Sequence, residues 1–158
     1  MDRLTFNKID AASEIPYELL LLADETVEAI NLYIFNCDIY VLNNDIQTIA
    51  VMALHRNNAT ELEIKNIAVI HPFRSNGIGS ILIDKAKEIA QQNYFSSLLV
   101  GTSDTGTQQI SFYEKNGFVK KEIRKDFFIQ NYPFPIFENG KQMRDMVILE
   151  FLIHHFSE

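Results

Sequence analysis

The segment Arg74-Ser75-Asn76-Gly77-Ile78-Gly79 constrains the fold more than any other part of the chain. It follows a strand-like run, Ile64-Lys65-Asn66-Ile67-Ala68-Val69-Ile70, and leads into a helix-like run over residues 81–92. A strand that feeds a glycine-bearing turn into a helix N-terminus makes a site for an anion, above all a phosphate. The first backbone N–H groups of a helix have no intrahelical partners, and the helix dipole favours negative charge there. Glycines let the backbone approach without a Cβ in the way, and the Arg74 guanidinium can add charge-assisted bonds. A Walker loop requires Lys and then Ser or Thr after its last glycine, whereas Gly79 precedes Ser80 and Ile81. A dinucleotide fingerprint requires a third glycine near Leu82 and an acidic residue about 20 positions on, and neither is present.

The pattern that remains is Arg/Gln-x-x-Gly-x-Gly/Ala, with Arg74, Gly77 and Gly79 on its three defining positions. It resembles the loop that holds the pyrophosphate of coenzyme A in the GNAT superfamily of N-acetyltransferases. A second segment supports this resemblance. Leu98-Leu99-Val100 reads as a short buried strand, residues 101–107 as a turn-rich loop, and residues 108–115 as a short helix stopped by Asn116-Gly117. The run Phe112-Tyr113-Glu114-Lys115-Asn116-Gly117-Phe118 is similar to the FYEKxGF segment that GNAT proteins carry downstream of the loop. One helix and one strand separate the two segments, as they do in that family.

Composition sets wider bounds. At 158 residues the chain suits one domain, here 1–158, with a single substantial core. The apolar fraction of 47% and charged fraction of 22% are ordinary for a globular protein. The apolar run at residues 19–23 is too short to span a bilayer, and Asp2-Arg3 makes a poor start for a signal peptide. One cysteine gives no disulfide framework, which suits a reducing cytoplasm. A net charge of −7 argues against a nucleic-acid partner and favours a cationic acceptor.

The pattern of apolar residues gives the order of elements. Residues 4–9 alternate as a strand, and residues 17–22 and 26–33 carry helical spacing after Pro16. Residues 39–42 and 46–54 form a hairpin around Asn43-Asn44-Asp45, and residues 61–70 form the strand that delivers the glycine turn. The helix after that turn presents Ile78, Leu82, Ala86 and Ile89 as one stripe. Residues 118–124 and 143–153 read as strands. This order predicts a three-layer α/β arrangement. The resemblance implies the GNAT fold, whose central sheet is mixed, mostly antiparallel and splayed at the cofactor site.

The resemblance also implies the chemistry, an acetyl-CoA-dependent transfer of an acetyl group directly to an amine, with no metal. Arg74, Ser75, Asn76, Gly77, Ile78, Gly79 and Ser80 would hold the pyrophosphate. Pantetheine would lie along Ile67, Ala68 and Val69, where a backbone N–H would meet the thioester oxygen. Such donors are worth roughly 3–4 kcal/mol elsewhere. Tyr113 takes the place of the family's proton donor to the leaving thiolate. A phenol with a pKa near 10 can protonate a thiolate whose thiol has a pKa near 8.5, although a tyrosine there can also be an amphipathic core residue. Glu63 lies where many members place a carboxylate that accepts the amine proton; a solvated strand residue is the other reading.

Several positions depart from the family pattern. Glycine is commoner than Ser75, a basic residue is commoner than Asn76, and Gly106 stands where many members have asparagine, so Asp104 and its neighbour Thr105 are candidates for that cofactor contact. The aromatic, twice proline-broken segment 126–140 is expected to be a long irregular loop. It resembles a bacterial subgroup ending in FFxxxYPxPIxENG. Tyr132 and Glu138 are its candidate acceptor residues, able to orient an ammonium group, with Phe127, Phe128 and Phe137 pinning the loop to the sheet as the alternative. Cys37, His55, His71 and the His154-His155 pair carry no assigned role. The expected partner is a small cationic amine, with no nucleic acid and no membrane, and self-association into a homodimer stays open. A GNAT-fold module that binds acyl-CoA without turnover is the rival reading.

Overall fold

In the computed structural model, which describes residues 3–10 and 14–155, the chain runs β1 (Thr5–Lys8), α1 (Tyr17–Leu20), α2 (Val27–Asn31), β2 (Cys37–Asn43), β3 (Thr48–Arg56) and β4 (Glu61–Val69). It continues through α3 (Ile78–Gln92), β5 (Ser97–Ser103), α4 (Thr107–Lys115), β6 (Val119–Arg124), α5 (Phe127–Asn131), β7 (Phe137–Glu138), β8 (Lys141–Gln142) and β9 (Met146–Leu152). Seven strands form one sheet in the order β1-β2-β3-β4-β5-β9-β6. Every neighbouring pair is antiparallel except β4 and β5, which are parallel and joined by α3. The expected α/β arrangement around a mixed, mostly antiparallel sheet is the one found.

The two faces of the sheet are covered by different helices because the strands alternate with period two. Leu42, Met52 and Leu54 join the core under α3 and α4, while Val41, Val51 and Ala53 join the core under α1 and α2. Strand β4 changes parity along its length. Leu62 and Ile64 face the α3 side, and the next residue to do so is Ile67, followed by Val69. The register with β3 slips between Ala53 and Leu54, which leaves Lys65 without a residue opposite. A bulge of this kind moves all later side chains to the other face. It turns Asn66 and Ala68 toward α1 and α2, where Asn66 Nδ2 donates to the Leu20 carbonyl at 2.9 Å.

Three elements differ from expectation. Helix α3 begins at Ile78, and its buried stripe is Ile78, Leu82, Ile83, Ala86 and Ala90, with Ile89 only partly buried. The two early helices are single turns. Thr26 caps α2 by accepting from the Ala29 N–H at 3.0 Å, so the segment between the helices is free to turn toward the sheet. Segment 126–140 is not one irregular loop. It carries α5 and the start of the β7–β8 hairpin, whose two-residue connection Asn139-Gly140 has positive φ at both positions (53° and 76°). Phe128, Ile136 and Met143 bury against one another beneath it.

Candidate active site

Strands β4 and β5 pair from Glu61↔Ser97 to Ile64↔Val100 and no further. Beyond that point β4 stays paired with β3 to Val69↔Ala50, and β5 stays paired with β9 to Ser103↔Met146. The parallel pair therefore parts one residue before the bulge, and among the described residues one edge of residues 65–69 has no strand beside it. Backbone N–H and C=O groups on such an edge need partners. A cleft of about 640 Å³ occupies the gap and is lined by Ile67, Ala68 and Val69 on one side and by Gly101, Thr102 and Ser103 on the other. Gly101 lies where the gap opens, and a Cβ there would come within 2.6 Å of Met146 Sδ.

The cleft reaches the glycine turn at Val69 and Arg74. Arg74 Nε donates to the Val69 carbonyl at 2.9 Å, which ties the exposed guanidinium to the end of β4 and commits one of its five N–H donors. Ser75 and Gly77 both adopt left-handed backbone, with φ of 66° and 78°, and Gly77 caps α3. Alternation of handedness at a helix N-terminus turns successive N–H groups toward one point, the geometry of an anion nest. A Cβ on Gly77 would meet nothing within 4 Å, so the space over the turn is open. The Ile78 side chain is buried in the core, so this residue offers a ligand its backbone alone. Asn76, Gly79 and Ser80 complete the turn and the first turn of α3. These residues fit a pyrophosphate.

Helix α4 brings Tyr113 into the cleft. Its ring packs edge-on against Phe112 and Phe118, with centroids 5.3 and 5.8 Å away, and the residue is 6% exposed. No described residue hydrogen-bonds its hydroxyl. Burial pushes the phenol well above its ordinary pKa, so the group carries its proton throughout the neutral range.

Three carboxylates also line the cleft: Asp24 and Glu25, in the turn between α1 and α2, and Glu138. Asp24 is a hub: Oδ1 accepts from Tyr132 Oη and from the Glu25 N–H, both at 2.7 Å, and Oδ2 accepts from Tyr33 Oη at 3.0 Å. Burial is the main cause that raises both phenols, and Asp24 adds to it. Glu138 accepts from Thr105 Oγ1 at 2.9 Å. Beside the cleft lies a chamber of about 250 Å³ that shares Asp24, Ile64, Lys65, Gly101, Tyr132 and Met146 with it. Glu63 lines that chamber rather than the cleft. It is 4% exposed, accepts from Asn57 Nδ2 at 2.9 Å, and pairs with Lys65 Nζ at 3.2 Å.

The residues singled out in the sequence therefore fall into groups. Residues 67–69, Arg74, Tyr113, Tyr132 and Glu138 meet around one cleft, and Glu63 adjoins it. Asp104 does not line it; its carboxylate accepts from the Arg144 N–H at 3.2 Å, and Gln108 and Gln109 occupy the wall nearby. Asp24, Lys65 and Asn66 were missed. Asp24-Glu25 interrupting an apolar run was the available sign for the first. Among the described residues no group of three or more His, Cys, Asp or Glu side chains is placed to hold a metal. No helix there is long and apolar enough to cross a membrane.

This fold is shared with known proteins. Residues 35–120 match the family model described as an acetyltransferase (GNAT) domain. An uncharacterized N-acetyltransferase of Bacillus subtilis, YvbK, is 33% identical over 149 residues, covering 94% of this chain and 96% of that protein. The crystal structure of a GNAT family acetyltransferase from Elizabethkingia anophelis with acetyl-CoA bound superposes with a TM-score of 0.91 at 37% identity, over 94% of this chain and 97% of that one. The structure of an IAA acetyltransferase from Bacillus cereus superposes with a TM-score of 0.89 at 34% identity, over 95% of this chain and 99% of that one. The chain belongs to the GNAT family and is an N-acetyltransferase.

Proposed function

We propose that the protein takes an acetyl group from acetyl-CoA and transfers it directly to a small cationic amine. The observation that carries this reading is the parting of β4 and β5 at Ile64 and Val100, which opens a cleft lined by Tyr113 and by the carboxylates Asp24, Glu25 and Glu138. The glycine turn and Arg74 hold the donor's pyrophosphate, and its pantetheine arm pairs with the open edge of residues 67–69. A backbone N–H of that edge stabilises the oxyanion as the amine attacks. The amine nitrogen forms the new bond to the acetyl carbon, the carbon–sulfur bond breaks, and the thiolate takes the Tyr113 proton. Glu63 receives the proton that the amine loses, through water. Burial raises the phenol, which keeps it protonated between turnovers and makes it a weaker donor to the thiolate than an exposed tyrosine would be.

A panel of amines tested for coenzyme A thiol release, with the acetylated product identified by mass, checks this reading. Turnover with cationic acceptors supports it. Turnover confined to anionic or neutral acceptors contradicts the acceptor class. Acetyl-CoA binding without release against any amine favours the non-catalytic reading.

A further inference from the structure

Asp24 is a part-buried carboxylate with no cationic partner among the described residues. Its three hydrogen-bond donors are two tyrosine hydroxyls and one backbone N–H, all neutral. A carboxylate offers about four lone-pair sites, so these donors fix the group and leave one site on Oδ2. The other carboxylate of the 250 Å³ chamber, Glu63, is already matched by Lys65 at 3.2 Å. The uncancelled charge of the chamber is therefore that of Asp24.

The walls around this charge are aromatic and apolar, with Tyr33, Tyr132, Phe127, Leu32 and Met146 on the lining. Ring faces attract an ammonium, and more strongly where water is thin. A part-buried carboxylate that lacks a counter-ion is better matched once a cation arrives. A second observation comes from the adjoining cleft. Asn66, 4% exposed, lines the cleft and donates from Nδ2 to Leu20 O and to Tyr33 Oη (3.1 Å), while its Oδ1 has no partner. Those two bonds fix the amide orientation, and they commit the Tyr33 proton to Asp24. That orphaned acceptor belongs to the cleft and not to the chamber wall, and it calls for a donor that the described residues do not supply.

We propose that this chamber receives a second, non-reacting cationic nitrogen of the acceptor, so that the substrate class is a diamine. The inference rests on the acetyl-transfer reading above and adds the following step. A nitrogen held against an uncompensated carboxylate and ring faces is stabilised as the ammonium, which cannot attack a thioester. The reacting nitrogen must then be a different one, placed at the gap between β4 and β5 beside Tyr113. The two sites share Asp24, Ile64, Gly101 and Met146, so a short carbon chain joins them. A chamber of about 250 Å³ is smaller than most small-molecule sites, which suits the end of such a chain and not a peptide.

The test compares 1,4-diaminobutane with butylamine, which has the same chain length and one nitrogen. In wild-type protein the diamine should exceed the monoamine in kcat/KM by about tenfold or more, mainly through KM. Asp24→Asn should collapse that ratio to within about threefold. Calorimetry with the same two amines reads the chamber without turnover and should show the same preference. If the protein acetylates both amines equally well, the chamber does not select a second cation and the proposal fails, while the acetyl-transfer reading stands. If neither is acetylated, calorimetry still decides the chamber: equal binding of the two amines overturns the proposal, and the amine panel above decides the transfer reading. The wild-type comparison needs no variant, so misfolding of Asp24→Asn does not protect the idea.

Discussion

Tyr132 Oη donates a 2.7 Å hydrogen bond to Asp24 Oδ1, joining residues 108 positions apart. The bond ties the turn between α1 and α2 to the segment after α5, and both partners line the cleft and the chamber beside it. It joins the two segments into one wall of the cleft.

Removing that hydroxyl should cost modestly in stability and more in acceptor binding. Tyr132→Phe keeps the ring, which stacks on Phe128 at 5.8 Å. A hydrogen bond to a charged group contributes about 1.5–3 kcal/mol, and the part-buried setting puts the loss at the low end. Denaturant unfolding should show that loss, and the acceptor KM should rise with acetyl-CoA affinity unchanged. Unaltered stability and KM would mean that the bond is incidental.

Ser75 stands in left-handed backbone, at φ 66°, where glycine is at ease and other residues are strained. Ser75→Gly should therefore raise stability by up to about 1 kcal/mol, less the entropy that glycine adds to the unfolded chain. A thermal melt measures it, and a clear fall in the midpoint would contradict the assignment of strain.

Much of this site was legible before the structure. The glycine turn, the helix behind it and the FYEKxGF run are local words, and local geometry follows from them. The bulge at Lys65 was not, because Ile64-Lys65-Asn66-Ile67 reads as an ordinary strand and the slip depends on how β3 lies against it. The parting of β4 and β5 is likewise a relation between distant segments, as is the meeting of Asp24 with Tyr132. The β7–β8 hairpin was legible in principle, since Asn139-Gly140 is a strong two-residue turn signal. Pro133 and Pro135 drew the reading toward an irregular loop.

Acetyl-CoA should raise the melting temperature of wild-type protein, and Gly77→Glu should abolish that shift. An added Cβ at Gly77 meets nothing within 4 Å, so the substitution begins without a clash, but it sets a carboxylate where the proposed donor site takes the pyrophosphate and strains a backbone at φ 78°. Equal shifts for both proteins would remove the glycine turn from the donor site.

Alkaline pH should destabilise the fold. Burial raises the Tyr33, Tyr113 and Tyr132 phenols and pushes the Cys37 thiol up to about 12. In the unfolded chain these groups release protons near 10 for tyrosine and near 8.5 for cysteine. Below those values both states hold their protons and the stability is intact. Above them the unfolded state loses protons that the folded state keeps, so stability falls as pH rises toward the folded pKa values. The urea midpoint should drop between about pH 9 and pH 11, and less steeply for Tyr113→Phe. A flat midpoint would contradict the burial of these groups.

The most direct test of the account is turnover by Tyr113→Phe, with acetyl-CoA affinity measured beside it. The variant loses one hydroxyl, which no described residue hydrogen-bonds, from a ring held by Phe112 and Phe118. The account predicts that kcat falls by roughly 10²–10⁴ while acetyl-CoA binding and the acceptor KM stay close to wild type. Wild-type rates should rise with pH as the amine deprotonates, with no loss near pH 10, because Tyr113 keeps its proton there. A kcat for Tyr113→Phe within about a factor of two of wild type, at a pH where chemistry limits the rate, would contradict proton donation by Tyr113.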